Sequence, residues 1–174
     1  MHSPINRLNR AAYMGLLTAL ALILSYIEAL IPFQPGIPGI KIGLANLAVL
    51  ICLYLFGWKE AMLLTVVRVL VGGFLFGNLF MIAYSLSGAL CSAVTMILLR
   101  RSGGFHIPVV SAAGGVMHNM GQLMVAFWAV DSYSVVYYMP VLILSGLITG
   151  IVIGTIGALV LPYIKNIVGR GQLK

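Results

Sequence analysis

Between Glu60 and Arg100 the chain carries one charged residue, Arg68, set in the run LTVVRVLVGG of residues 64–73. A permanent cation among leucines and valines is either half of an ion pair in a soluble core or a working part of a membrane span. The choice follows from how little charge there is anywhere: 7% of 174 residues, against roughly a quarter in ordinary globular domains. No water-facing surface can be assembled from so few. With 61% hydrophobic residues and mean hydropathy +1.10, the chain reads as an all-α integral membrane protein, one domain over residues 1–174.

A hydrocarbon core about 30 Å thick needs about 20 apolar residues of helix. Six spans are predicted, about 11–31, 42–57, 60–76, 79–99, 108–130 and 138–164, with the breaks near 57–59 and 72–78 the least marked. Turn signals separate them: PFQPGIPGIK, GWKE, GGFLFGN, RRSGGFHIP and DSYS. Arg7 and Arg10 precede the first apolar run in the manner of a signal peptide. That run lasts about 21 residues and no A-x-A site follows it before Pro32, so it is expected to remain as the first span.

Six spans put both termini on one side. That side collects Arg7, Arg10, Lys59, Arg100, Arg101, Lys165, Arg170 and Lys174; the other receives Lys41 and the acidic Asp131. The positive-inside rule then makes both termini cytoplasmic, in a multi-pass protein of the cytoplasmic (inner) membrane. Trp58 falls at the inner interface, and Trp128, Tyr133, Tyr137 and Tyr138 at the outer one. The net charge of +7 is spread singly and in pairs, with no basic stripe, so nucleic acid is not an expected partner. Cys52 and Cys91 stand in apolar runs with no CxxC and no histidine at ligand spacing, and read as small buried residues rather than metal or redox groups.

Small residues let helices approach closely in lipid. Ala11, Gly15 and Ala19 share one face of the first span; Gly146, Gly150, Gly154 and Ala158 share one face of the last. The second set reads as packing within the chain. The first suits either that role or a helix of another subunit.

Polar residues inside the spans are the ligand-binding candidates, because an ionisable group at mid-bilayer costs about 2.5–3.5 kcal/mol on insertion scales. Arg68 lies about 12 Å along its helix from Glu60, near the midplane, and Glu28 about 27 Å up from Arg10, near the outer face. Asn46 enters span two from outside, Asn78 occupies an outer turn, and Tyr84 begins the descent of span four. His118, Asn119 and Gln122 fall in the middle and outer part of span five. The cytoplasmic halves are nearly all apolar. This gradient predicts a pocket open to the outside, with Arg68 at its floor and the Pro/Gly loop 32–41, bearing Lys41, as its roof. An anionic or carbonyl-rich small molecule would match the guanidinium fork. The structural alternatives are a pairing of Arg68 with Glu28 or helix-end carbonyls, and interhelical hydrogen bonding by His118, Asn119 and Gln122. No phosphate loop, aspartate-rich pair, G-x-S-x-G or H-E-x-x-H occurs, so neither catalysis nor a cofactor is expected. Any energy for transport must then come from a partner or an ion gradient.

The segments LLTALALILSYIEALIP and PGIKIGLANLAVLICLYLFGWKEAMLLTVVRVLVGGFLFGN resemble the membrane family labelled heptaprenyl diphosphate synthase component I, also called Gx transporter. That family in turn resembles the substrate-binding S components of energy-coupling factor (ECF) vitamin importers. The likeness covers nearly all of residues 11–165. It implies a six-helix bundle, an outward pocket beneath the loop joining helices one and two, and an A-x-x-x-A face on helix one that docks a coupling transmembrane protein driven by two ATPases. Here that face reads Ala11, Gly15, Ala19, a departure from the two-alanine form. The expected function is capture of a small vitamin-like or precursor molecule for import. The alternative is a membrane accessory subunit in isoprenoid or quinone metabolism, or in quinone-linked electron transfer, in contact with membrane lipids.

Overall fold

A computed structural model describes residues 7–30, 43–130 and 133–170. Lys41, the rest of the 32–41 loop and Asp131 lie outside them. The described residues form α1 (Arg7–Leu30), α2 (Leu44–Leu55), α3 (Trp58–Phe76), α4 (Leu79–Ser102), α5 (Ile107–Val130), a 3-10 turn (Tyr133–Tyr138) and α6 (Met139–Arg170), with no strand among them. Three stretches are long and apolar enough to cross a membrane: Leu8–Glu28, Leu79–Ser102 and Val136–Gly169.

The breaks are made by glycine and asparagine. Gly57, at φ 111°, separates α2 from α3 in a conformation that side chains rarely adopt. The second break is confined to Gly77 and Asn78. Gly72 and Gly73 stay helical, and a Cβ on Gly73 would sit 2.2 Å from the Ile82 side chain, so the missing methyl lets α4 fold back on α3. α4 and α6 run past the C-terminal bounds of their predicted spans, and α1 starts at Arg7, before its own. α4 continues through Arg100 and Arg101 to Ser102, since arginines at a helix end extend their heads to water and need not end the helix. α6 continues past Pro162, which removes one backbone bond while Leu161 beside it is held in the core.

With 12 residues, α2 is about 18 Å long, shorter than a bilayer core. It is instead the centre of the bundle. Residues 48–53 are all buried, among Leu17 and Ala21 of α1, Leu64 of α3, Met96 of α4 and Leu161 of α6. α3, α4, α5 and α6 follow one another around it, and α1 lies outside against α2 and α3.

α5 and α6 meet backbone to backbone. A Cβ on Gly146 would lie 2.6 Å from the Gly115 carbonyl oxygen, one on Gly150 2.6 Å from Cα of Ala112, and one on Gly154 2.6 Å from Cα of Pro108. The small-residue face of the last span therefore packs within the chain, as its spacing predicts. The face on α1 does not: Ala11, Gly15 and Ala19 are exposed, and a Cβ on Gly15 would meet nothing within 4 Å.

Cations gather at one end of the bundle. Arg10 pairs with Glu60, Arg100 donates to the Leu53 carbonyl, and Arg101 lies over the Trp58 ring. Glu28, Gly43 and Asn78 occupy the opposite end, where Tyr26 of α1 meets Phe76 of α3.

Candidate functional site

Asn46 stands in the first turn of α2, and Arg68 about three turns into α3. Because the two helices run in opposite directions, these positions meet away from the basic end. Arg68 is buried, 8% exposed, and its Nη2 donates to Oδ1 of Asn46 at 2.7 Å. Its Nε has no hydrogen-bond partner among the described residues. Glu28 of α1 accepts the Gly43 N–H, three residues before Asn46. Gly43, at φ 78°, is the residue from which α2 starts. The cation is thus held by a neutral acceptor in contact, Asn46, whose helix starts on the Glu28 carboxylate, and its Nε is uncommitted.

Asn46 also lines a small central cavity of about 20 Å³, walled by Gly43 on α2, Ser92 on α4, Ser111 and Gly115 on α5 and Thr149 on α6. That is room for one water molecule, with Met96 and Ile153 completing the wall beside the polar groups. Ser111, Gly115, His118 and Gln122 follow at intervals of four, three and four, so they share one face of α5. Further along that face, Gln122 and His118 lie against Gly88 of α4. A Cβ there would come within 2.7 Å of both Gln122 Cγ and the His118 carbonyl oxygen, and 3.2 Å from His118 Nε2. Gln122 is 1% exposed, yet neither atom of its amide has a hydrogen-bond partner among the described residues.

The remaining candidates go elsewhere. Asn119, next to His118 but turned from it, donates to the Leu142 carbonyl at 2.7 Å and to Ser145 Oγ at 3.1 Å, tying α5 to α6. Asn78 caps α4 by accepting the Met81 N–H at 2.8 Å. Tyr84 is half-buried and stacks on Phe80. Arg68, Asn46 and Glu28 are therefore brought together, His118 and Gln122 form a second pair on α5, and Asn119 and Asn78 join neither group.

Sequence reasoning passed over Ser92, Ser111 and Thr149. Hydroxyls in helices commonly bond to their own preceding turn, as Thr149 does with the Ser145 carbonyl. For Ser111 the usable signal was its shared face with Gly115 and His118; Ser92 and Thr149, on α4 and α6, carried none. Cys52 and Cys91 are free thiols. Among the described residues no three His, Cys, Asp or Glu side chains are grouped to hold a metal ion.

Compared with known families, residues 17–160 match the family model described as heptaprenyl diphosphate synthase component I. No curated protein and no solved structure matches the chain.

Proposed function

The chain belongs to the heptaprenyl diphosphate synthase component I family, and we propose that it is a non-catalytic membrane subunit that captures a small, anionic or carbonyl-rich molecule and delivers it through partner proteins, in the manner of an ECF S component. The carrying observation is the outer-end seam of Arg68, Asn46 and Glu28, which leads through Asn46 into the small, partly polar cavity between α2, α4, α5 and α6. A guanidinium with donors to spare beside such a cavity suits a carboxylate or phosphate. Ligand access requires the outer end of α2 to part from α4–α6, since the cavity as it stands has room for one water. Six membrane crossings with the basic end and both termini in the cytoplasm complete this reading. The exposed Ala11, Gly15, Ala19 face on α1 is the docking surface for a coupling protein that works with ATPases. Three acidic residues, with Glu28 and Glu60 at opposite ends of the bundle, favour binding over catalysis.

The family's name favours a second reading. A "component I" implies a second component, and the name is that of an isoprenoid synthase. On this reading the chain is the membrane-embedded accessory partner of that enzyme, and the occupant of its interior is a prenyl or quinone-like lipid.

Native mass spectrometry of gently extracted protein separates the two. Import predicts a water-soluble ligand lost in Arg68→Ala, and an ATPase-containing complex lost in Gly15→Leu with the ligand retained. Co-purification of a prenyl diphosphate or quinone with a soluble synthase subunit, and no ATPase, would replace the first reading with the second.

A further inference from the structure

A second cavity, about 320 Å³ and open to the surface, lies at the basic end between the close of α2, the start of α3 and the last turns of α4. Buried Leu53 and Ile97 line it on one side, Gly57 and Trp58 on another, and Arg100 and Arg101 on a third. Both guanidiniums are held in place. Arg100 donates to the Leu53 carbonyl and lies 4.9 Å over the Tyr54 ring, while Arg101 lies 5.1 Å over the Trp58 ring. The Lys59 ammonium is 5.7 Å from that same ring.

None of these three cations is paired with a carboxylate among the described residues. Glu60 is engaged by Arg10, and Glu28 is at the other end of the bundle. α3 also begins on this wall without a side-chain cap, and the positive end of its dipole there is partly offset by Glu60 in its first turn. A concave site where three cations face one nearby carboxylate, that of Glu60, already engaged by Arg10, is built for an anion from outside. Stacking leaves the in-plane N–H groups of a guanidinium free for bidentate bonds, and a tetrahedral oxyanion of charge near −2 suits two or three cations better than a single carboxylate does.

The surroundings say what the anion is attached to. One and two turns back along α4 from Arg101, Leu98 and Val94 are exposed. An apolar strip therefore leads from the cations along a helix apolar enough to cross a membrane. We infer that this cavity binds the phosphate headgroup of an amphiphile, a phosphomonoester or diphosphate, with its apolar chain lying along Leu98 and Val94. The site is separate from the ligand seam at Arg68 and does not depend on the proposed import role.

Trp58 provides the readout, because the chain has one other tryptophan, Trp128, and Trp128→Phe leaves the cavity unchanged. The full-length W128F protein in neutral detergent is titrated with dioleoyl phosphatidic acid, with inorganic pyrophosphate and with dioleoylglycerol. Phosphatidic acid is expected to change Trp58 emission saturably and to bind about 10-fold or more tighter than pyrophosphate, with no saturation by dioleoylglycerol. Arg101→Gln should weaken phosphatidic acid about 10-fold, and Arg101→Lys less than that. Leu98→Asn, which touches no cation, should weaken phosphatidic acid and spare pyrophosphate, and it decides the matter if R101Q does not fold. Equal affinity for pyrophosphate and phosphatidic acid would overturn the amphiphile in favour of free phosphate. Saturation by dioleoylglycerol, or a silent Trp58, would overturn the anion site itself.

Discussion

Arg68 Nη2 and Asn46 Oδ1 stand 2.7 Å apart across 22 residues of sequence, and this one bond joins the cation of α3 to the wall of the central cavity. Asn46→Ala removes the acceptor and leaves the guanidinium buried, with no oxygen in its place. A bond to a charged group contributes about 1.5–3 kcal/mol, so N46A should lose about that much stability in detergent denaturation. Arg68→Met should cost less on top of N46A than alone, and a double-mutant cycle reads the coupling. Additive losses would mean that the pair does not act as a unit.

Gly115 and Gly15 make opposite predictions from the same residue type. A Cβ on Gly115 would fall 2.2 Å from the Gly146 carbonyl oxygen, whereas one on Gly15 has open space. Gly115→Val should force α5 from α6 and destabilise the protein by about 1–3 kcal/mol or more. Gly15→Leu should leave the melting temperature of the isolated chain unchanged. Thermal scans of the two variants side by side test the contrast.

How far the sequence discloses this arrangement depends on the kind of residue. The repeat Gly146, Gly150, Gly154 is readable because a four-residue interval on a helix defines a face whatever lies opposite. Charge spacing marks most helices for a similar reason: apart from Arg68, the lysines and arginines of the described residues stand at or near helix ends. Asn119 and Gln122 show where this stops. Both are amides on α5 within one turn, yet Asn119 bonds to α6 and Gln122 faces Gly88 of α4. Direction around a helix becomes meaningful only when its neighbours are known. α2 gives the same lesson in length, since an apolar run too short for a bilayer is explained by burial inside the bundle.

Gln122 itself gives a prediction with an unusual sign. Its amide is buried without a hydrogen-bond partner among the described residues, so exchanging it for an apolar group of similar size removes a desolvation cost rather than a bond. Gln122→Leu should therefore match or exceed the parent in stability, by ~0–2 kcal/mol, while ligand retention falls. A large loss of stability would show that the amide is satisfied within the fold and has no part in binding.

Gly43 starts α2 at φ 78° with its N–H on Glu28. Gly43→Ala should cost about 1–2 kcal/mol through the left-handed backbone alone. Glu28→Gln keeps an acceptor for the same N–H but removes the carboxylate charge near Arg68. Both variants should alter ligand affinity if α2 must part from its neighbours for access. Calorimetry on the purified protein separates their effects on stability from those on binding.

The glycine contacts also dictate how such a bundle can breathe. α4 is seated on α5 through Gly88 and Gly121, and α5 on α6 through Gly115 and Gly146, with main-chain atoms touching at each seam. Peptide planes in contact cannot yield by changing rotamer, so these three helices form the stator of the molecule. The seam between α2 and α6 is different in kind: Gly157 faces the flexible tips of Leu50 and Leu47. Side-chain tips can slide where backbone cannot. A widening of the interior is therefore expected to displace α2, and Asn46 with it, before it parts α4, α5 and α6.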